Sequence, residues 1–463
     1  MLHPPATRQA PAIEVLYETV QQALDPVAGD VALDRLMQLF RRLSDLYDTD
    51  VSSPLNMGYF CIDADAASLT AMDETNRRGA NIAVEGQHPT SVAFEQYSID
   101  LILAAFEFDP STAIGHYTAC GTEANLTAMI VALTDRLSHR NPRCPKVNGA
   151  LCTDGEPYEY WRHGVAPLGV RPSVYVSRQT HASIDKNARN LIGATSVRSV
   201  AASDDLRLDP EALDRAITED LASGNFLPFM VVGTVGATPS GIVDPLGEIG
   251  EVCAKHGAWF HVDAPWGGIS AFSPALKQLC LAGMEKVDSL IFDPHKTLAP
   301  LGAGGAGMFL SRHRAPVELA FNVSGGVVAC HDYGYLSLQG SRANTGLRVL
   351  TSILRPVELA RRVEREAALG DRLRALLRDA GWEIVNQTPL PVVCAVHPGM
   401  RSGTFSATDC VQHLDAAGVL AKPESLRPGE PDALRLGIIS RRTDEAALDY
   451  VAERLAEFVR AQR

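Results

Sequence analysis

The most informative stretch of the sequence is HVDAPWGGISAFSPALKQLCLAGMEKVDSLIFDPHK, residues 261–296. It begins within one short apolar run, WFHVDA, and closes on another, SLIFD. Short apolar runs bounded by turn signals are typical of strands buried in a parallel sheet. Asp263 then lies where the first strand meets its loop, and Lys296 follows the second strand. Ligands bind outside the carboxyl ends of such strands, so both residues are candidates for a functional site.

Similar runs lie on both sides of this stretch, namely PSVYVS (172–177), FMVVGTV (229–235) and GMFLS (307–311). Helical patterns separate them, for example at 209–224 and 247–255, which is typical of βαβ units. We therefore predict the α/β class, with a mostly parallel sheet. Beyond residue 346 a long helical pattern over 349–380, broken at Pro356, precedes two strand-like runs and a closing helix over 443–461. This predicts a smaller α+β domain.

The amino-terminal part has helical periodicity over 12–47 with a break near Pro26–Gly29, after a proline-containing arm at 1–12. Amphipathic helices are also predicted at 92–106 and 121–137. We expect three parts: an N-terminal helical segment (1–60), a large domain (61–345) and a small C-terminal domain (346–463). A chain of 463 residues is long enough for two or three domains.

Composition excludes several classes of protein. The net charge of −13 disfavours nucleic-acid binding, because an acidic chain repels phosphate backbones. Nine cysteines, an odd number with no CxxC spacing, favour reduced thiols over a zinc site or a disulfide scaffold, so no metal is expected. The sequence contains no apolar run of membrane-spanning length and no secretory pattern at its start. We expect a cytoplasmic protein that does not bind membranes.

Three chemical groups converge in the predicted loops. The small residues of Cys120–Asn125 open a helix, whose free N–H groups form a phosphate cup. Asp263 supplies a carboxylate and Lys296 an amine nucleophile, while His295 can donate to an anion. This is the set needed to hold pyridoxal phosphate, with the lysine forming a Schiff base and the carboxylate keeping the pyridine nitrogen protonated. The run GAGGAG at 302–307 precedes a strand instead of following one, which excludes a dinucleotide-binding turn.

The sequence resembles the pyridoxal-phosphate-dependent group II amino-acid decarboxylases, which include the glutamate, aromatic-amino-acid and histidine decarboxylases. The resemblance depends on six motifs in order between about residues 117 and 342: TACGTEANLTAM, HASIDKNARNL, GTVGATPSGIVDPL, HVDAPWGG, DPHK and QGSR. It implies the aspartate-aminotransferase-like (type I) fold with a seven-stranded sheet. It also implies a homodimer with active sites at the subunit interface, and decarboxylation of an amino acid to an amine.

The resemblance also implies residue roles. Lys296 would form the Schiff base, Asp263 would pair with the pyridine nitrogen and His181 would stack on the ring. The other cofactor residues implied are Cys120, Gly121, Thr122, Thr238, Asp244, Pro265, Asp293 and His295. The substrate residues implied are Tyr59, Phe60, Cys61 and Arg342, with 82–84 reaching in from the second subunit. Some have simpler interpretations: His181 as a helix cap, Asp244 as the N-cap of a helix near Leu246, and Thr238 as a turn residue. Tyr59 and Phe60 mildly favour an apolar or aromatic substrate side chain.

Two departures from the family pattern affect the expected reaction. Pro265 stands where the family usually has alanine, which stiffens the loop under the ring. The tyrosine that returns a proton to Cα in many relatives is absent, and Phe321 lies near its position. Tyr335, or else His331, is the alternative donor, although both could be ordinary loop residues. The reaction could therefore be aldehyde-forming oxidative decarboxylation or deamination, or carbon–carbon cleavage. A catalytically silent relative is the remaining alternative.

Overall fold

The computed structural model describes residues 12–24, 33–60, 65–139, 155–298, 305–322 and 332–462. The strands of the large sheet are β1 (Ile114–Thr118), β2 (Arg171–Val176), β3 (Val197–Ser199), β4 (Phe226–Thr234), β5 (Trp259–Asp263), β6 (Ser289–Phe292) and β7 (Gly307–Ser311). Their order is β1-β7-β6-β5-β4-β2-β3. Only β7 runs against its two neighbours, and the other pairs are parallel. The predicted α/β fold with a mostly parallel seven-stranded sheet is confirmed.

The helices before and around this sheet include those predicted over 12–47, 92–106, 121–137, 209–224 and 247–255, together with others for which no periodicity was predicted. They are α1 (Ile13–Ala23), α2 (Leu33–Tyr47), α3 (Ala66–Arg78), α4 (Pro89–Ala105), α5 (Gly121–Arg136), α6 (Tyr160–His163), α7 (Ala182–Leu191), α8 (Pro210–Ser223), α9 (Leu246–His256), α10 (Pro274–Cys280), α11 (Pro294–Thr297) and α12 (Arg314–Phe321). The predicted arm at 1–12, except for its last residue, and the break near Pro26–Gly29 lie outside the described residues. No helix in the described ranges is long and apolar enough to cross a membrane.

Helix α8 shows how local sequence sets these boundaries. The Asp209 side chain accepts hydrogen bonds from the backbone N–H groups of Glu211 and Ala212, and Pro210 occupies the first helical position. Proline suits that position because its missing N–H would have no partner there. Gly224 ends the helix at φ 68°, a left-handed conformation that glycine adopts without a steric penalty.

The carboxyl-terminal part forms a second, smaller layer. Its helices are α13 (Gly346–Ile353), α14 (Pro356–Asp379), α15 (Pro398–Arg401), α16 (Ala407–Ala416) and α17 (Glu445–Ala461). Its strands, β8 (Glu383–Ile384), β9 (Val392–Val396), β10 (Lys422–Glu424) and β11 (Ala433–Gly437), form an antiparallel sheet in the order β10-β11-β9-β8. Pro356 begins α14, which is why the helical pattern breaks there. Backbone hydrogen bonds also join Met57 to Leu420 and Gly437 of this layer.

Candidate active site

The carboxyl ends of β1, β5 and β6 lie on the same side of the large sheet, here called the carboxyl end of the sheet. This follows from the pairing, since β7 is antiparallel to both β1 and β6, and β5 is parallel to β6. Gly307 pairs with Thr118, and Met308 pairs with Phe292. The first turn of α5, Asp263 and the Lys296 turn therefore lie at one end of the sheet.

Lys296 lies on the single turn α11, directly after β6. Its Nζ atom is 3.1 Å from Oδ2 of Asp293, whose side chain is buried. The Oδ1 atom of Asp293 is also buried and has no hydrogen-bond partner among the described residues. His295 Nδ1 donates to the carbonyl of Ala306 at 2.5 Å, and its Nε2 lies 3.9 Å from Asp293 Oδ2. The turn thus places an amine and an imidazole around one buried carboxylate.

Side chains of the carboxyl-terminal layer fix the end of this turn. Arg362 Nη2 donates to the carbonyl of Thr297 at 2.5 Å. The carbonyl of Leu298 accepts from Ser352 Oγ at 2.5 Å and from Arg441 Nη2 at 3.1 Å. These donors satisfy carbonyl groups that a helix end leaves free. The backbone that follows Lys296 is therefore attached to the carboxyl-terminal layer.

Asp263 is a buried carboxyl group at the end of β5. Burial raises its pKa to about 6, opposed by a hydrogen bond from Asn125 and by the charge of Lys296. Asn125 Nδ2 lies 3.3 Å from its Oδ1 atom. No ion-pair partner lies within 4.0 Å of it among the described residues. A buried carboxylate without an adjacent cation favours a ligand that brings a positive charge.

His181 is the N-cap of α7, so the simpler interpretation as a helix cap is correct in geometry. Its Nδ1 accepts from the backbone N–H of Ser183 at 3.2 Å and lies 2.9 Å from that residue's Oγ. Partial burial of the ring, followed by the nearby charge of Lys296, lowers its pKa. The cap and the predicted site role are compatible, because the cap uses Nδ1 and no hydrogen-bond partner of Nε2 lies among the described residues.

The residues Cys120, Gly121 and Thr122 form the start of α5. A Cβ atom on Gly121 would lie 2.7 Å from Oδ2 of Asp293, so only glycine allows this close approach. Asn187 of α7 donates to the carbonyl of Thr122 at 2.9 Å. The free N–H groups of this helix start therefore lie beside the Lys296 turn, as an anion cup requires.

Two residues from the sequence analysis, Asp244 and Pro265, make hydrogen bonds with backbone groups. Asp244 accepts from the N–H groups of Leu208 and Thr234, both at 2.8 Å, while Pro245 is the N-cap of α9. The alternative of Asp244 as an N-cap is therefore wrong. The Pro265 carbonyl accepts from the N–H of Asp293 at 2.8 Å. Thr238 is half-buried in the turn after β4.

Gly267 lies in the loop after Asp263. A Cβ atom there would overlap the carbonyl oxygen of Val235. Its small size is therefore required by the protein's own backbone.

The predicted substrate residues have contacts of their own. Phe60 stacks on Trp266 with 4.7 Å between ring centroids, which brings it close to the loop after Asp263. The Tyr59 hydroxyl accepts from Lys422 Nζ at 2.9 Å. Arg342 is buried in an ion pair with Glu95 at 2.7 Å, so its substrate role stays a prediction. Cys61 lies outside the described residues.

The segment 332–342 carries the candidate proton donor. Tyr335 is 40% exposed, and the preceding Gly334 donates its N–H to the carbonyl of Ala83 at 2.8 Å. Gln339 of the QGSR motif donates to Glu123 in the first turn of α5, at 2.9 Å. His331 is not among the described residues, and Phe321 is buried at the end of α12. Ile82 and Ala83, expected to reach a second subunit, are buried within their own chain.

Sequence reasoning missed three polar residues that support Asp263 and His181. Asn125, Ser183 and His261 are all buried and hydrogen-bonded to one another or to these two residues. Each stands inside a motif already quoted: TACGTEANLTAM, HASIDKNARNL and HVDAPWGG. The sequence therefore contained the signal, but their pairing depends on contacts between distant strands and helices.

Comparison with known proteins agrees with this geometry. Over residues 159–396 the chain matches the family model described as the pyridoxal-dependent decarboxylase conserved domain. It is 44% identical over 128 residues to the cysteine sulfinic acid decarboxylase of Mus musculus, a match of 27% of this chain. That match spans only 26% of the length of the mouse protein.

Solved structures show the same fold over nearly the whole chain. Mouse CSAD superposes with a TM-score of 0.79 at 23% identity, covering 98% of this chain and 93% of that one. The 4-hydroxyphenylacetaldehyde synthase of Rhodiola rosea has a TM-score of 0.77 at 22% identity, with coverage of 97% and 96%. At such identities the likeness concerns the fold alone. The family match and the six ordered motifs together show that the chain belongs to the pyridoxal-dependent decarboxylase family.

Proposed function

We propose that this chain catalyses the pyridoxal-phosphate-dependent decarboxylation of an L-amino acid to its amine and carbon dioxide, with Lys296 holding the cofactor covalently. The observation that carries this proposal is the convergence of Lys296, the buried Asp263 and the start of α5 at the carboxyl end of the sheet. Membership of a pyridoxal-dependent family supports the same cofactor.

The residues at this end of the sheet fit pyridoxal phosphate in three respects. Asp263 is buried with a raised pKa, and a protonated pyridine nitrogen would compensate its charge. The free N–H groups at the start of α5, together with His295, suit a phosphate group. Oδ1 of Asp293 is a buried acceptor without a described partner, which a bound molecule can satisfy.

Each residue then has a defined task. When bound, the cofactor supplies an electron-withdrawing ring that accepts the electron pair left by the departing carboxylate. Asp263 holds a proton on the ring nitrogen, and its own burial strengthens that interaction. Lys296 supplies the amine, and Asp293 fixes that amine at 3.1 Å. His181 would lie on the ring face and orient the leaving carboxylate, while Tyr335 would return a proton to Cα.

The assignment of Lys296 is tested by Lys296→Ala, with Lys255→Ala as the matched control because Lys255 pairs with Asp214 on the surface. After borohydride treatment with pyridoxal phosphate, we expect a covalent adduct by mass spectrometry in the wild type and the control only. Amine formation should disappear with the adduct. Full turnover by the Lys296→Ala variant would contradict the assignment.

The oxidative alternative is favoured by one specific observation, the buried Phe321 near the position of the expected tyrosine. In that reaction an amino acid, dioxygen and water give an aldehyde, carbon dioxide, ammonia and hydrogen peroxide. A panel of amino acids, analysed for amine, aldehyde and peroxide together, distinguishes the two reactions. Amine without peroxide supports decarboxylation, whereas aldehyde with peroxide supports the oxidative route. The same panel identifies the substrate.

We further propose a homodimer in the cytoplasm. The helices α1 and α2 expose large apolar side chains, among them Ile13, Tyr17 and Phe40, each more than 60% exposed. Exposed apolar patches of this kind are typical of association surfaces. The five described cysteines are unpaired, which agrees with a reducing compartment. Light scattering coupled to gel filtration should give twice the mass of one chain, and Phe40→Asp should shift the mass toward the monomer.

A further inference from the structure

A continuous run of hydrogen bonds, buried except at its His181 end, joins the two residues proposed to hold the cofactor ring, Asp263 and His181. The run starts at Trp259, whose Nε1 lies 2.8 Å from Ser289 Oγ, and Ser289 Oγ lies 2.8 Å from His261 Nδ1. The other ring nitrogen of His261, Nε2, lies 2.9 Å from Asn125 Oδ1. Asn125 Nδ2 lies 2.9 Å from Ser183 Oγ, which in turn lies 2.9 Å from His181 Nδ1. A branch joins Asn125 Nδ2 to Asp263 at 3.3 Å. Asn125 thus lies at the junction of two arms.

The chemistry of the groups fixes the direction of each bond. The Asp263 carboxylate only accepts hydrogen bonds, so the amide group of Asn125 that faces it must be the NH₂. The carbonyl oxygen of Asn125 then faces His261 and requires a proton on its Nε2. His261 Nδ1 is left as an acceptor for the hydroxyl of Ser289.

The hydrogen bonds at the Trp259 end and at the His181 end of the run agree with this orientation of Asn125. Trp259 Nε1 can only donate, so it donates to Ser289 Oγ, whose own proton is then free for His261. At the other end, the backbone N–H of Ser183 donates to His181 Nδ1, so that nitrogen carries no proton when His181 is neutral. With Asn125 reversed, its carbonyl oxygen would face a carboxylate, and the hydroxyl of Ser289 would lose its acceptor.

We propose that Asn125 is a positioning residue whose single amide orients both Asp263 and His181, with His181 and His261 each held as the tautomer that carries its proton on Nε2. The catalytic meaning of this arrangement rests on the proposed function, whereas the hydrogen-bond directions do not. A neutral His181 then presents a donor on its open nitrogen. It can bind a substrate carboxylate there, but it cannot remove a proton with that atom.

Burial supports the neutral state of His261. The residue is fully buried, and burial lowers its pKa to about 3. His261 is therefore neutral near pH 7 and carries its single ring proton on one of its two nitrogens, as one tautomer. That tautomer reports the orientation of Asn125, because a reversed amide would require the proton on Nδ1.

The first test uses the unmodified protein without cofactor, labelled with ¹⁵N in its histidines. Nitrogen spectra recorded above the pKa of His181, and assigned with His181→Gln and His261→Gln, should show a protonated Nε2 and an unprotonated Nδ1 for both residues. A proton on Nδ1 of His261 would overturn the proposal, whether or not the protein binds a cofactor.

The second test measures pyridoxal phosphate affinity by absorbance. Asn125→Asp keeps the shape of the side chain but replaces the donor to Asp263 with a second carboxylate. We expect affinity to fall by about tenfold or more, since a hydrogen bond to a charged group is lost. Thr127→Val, an isosteric change at a buried position of the same helix, should change affinity by less than about twofold.

Wild-type affinity in the Asn125→Asp variant would contradict the role of Asn125. A wild-type protein that binds no pyridoxal phosphate would instead contradict the proposed function, and the nitrogen spectra would still decide the hydrogen-bond directions. The two failures are therefore distinguishable.

Discussion

The carboxyl end of the large sheet and the segment 332–342 contribute to the same proposed reaction in different ways. At the carboxyl end of the sheet, Asp263 is buried and oriented by Asn125, and Lys296 is fixed by Asp293. In the segment, Tyr335 lies on a short turn and is 40% exposed. In the proposed reaction, cofactor binding would depend on buried residues, whereas the return of the proton would depend on a residue that is partly exposed. One fold can therefore support several outcomes.

The largest effect is expected from Asp263→Asn, which keeps the shape but removes the charge opposite the proposed ring nitrogen. Amine formation should fall by about 100- to 1000-fold, because a preorganised charge in a buried site is lost. Steady-state kinetics with cofactor absorbance recorded in parallel provide the measurement. A loss below tenfold would mean that the charge of Asp263 contributes little to amine formation.

The next largest effect is expected on the free energy of unfolding, through the ion pair that attaches the segment 332–342. Glu95→Gln leaves the buried guanidinium of Arg342 without its charge partner. We expect a loss of about 3 kcal/mol in the free energy of unfolding, measured by urea denaturation. The control Glu358→Gln removes the exposed partner of Arg355 and should cost less than about 1 kcal/mol. Equal losses would show that Arg342 does not depend on this ion pair.

Tyr335→Phe tests whether the segment supplies the proton. Removal of a general acid typically costs about 100-fold in rate, so amine formation should fall by that order while cofactor absorbance stays unchanged. Tyr333→Phe is the control on the same turn, since among the described residues its hydroxyl donates to Gln96. If both variants keep full activity, the donor lies elsewhere and the segment has a packing role.

The smallest effect is expected on the free energy of unfolding, which Asp263→Asn should raise although it lowers activity. Because its pKa is raised from 3.8 to about 6 by burial, this carboxyl stabilises the fold when protonated, and the contribution is lost as pH rises through about 6. The cofactor-free Asp263→Asn variant should therefore be more stable than the wild type above that pH, by about 1–3 kcal/mol. Below pH 3.8 the two should be equal. Thermal denaturation across this range gives the result.

The sequence predicted the parts of the molecule that depend on local pattern. The strands that end at Asp263 and before Lys296, and the break at Pro356, follow from apolar runs and proline chemistry. The strand β1 was not predicted, because IGHYT is short and contains glycine and histidine, and its burial comes from pairing with the distant β7. Propensity alone could not indicate that partner.

The candidate site also combines features that follow from local sequence with contacts that depend on distant elements. The chemical roles of Lys296 and Asp263 could be inferred from their motifs, but the contacts of Asp244 and Arg342 could not. Arg342 finds its partner 247 residues away in sequence, and Asp244 bonds to the backbone of Leu208 and Thr234. Such pairs arise from the packing of distant elements, which no local spacing records.

The position of β7 also constrains how the protein is made. Because β7 lies between β1 and β6, the strand that leads to the α5 turn cannot join the rest of the sheet until residues 307–311 have been synthesised. Every strand pair from β2 to β6 can form earlier. The proposed cofactor pocket is therefore completed late in translation, and a chain truncated before Gly307 would retain Lys296 and Asp263 but lack the strand that holds the phosphate-binding turn beside them.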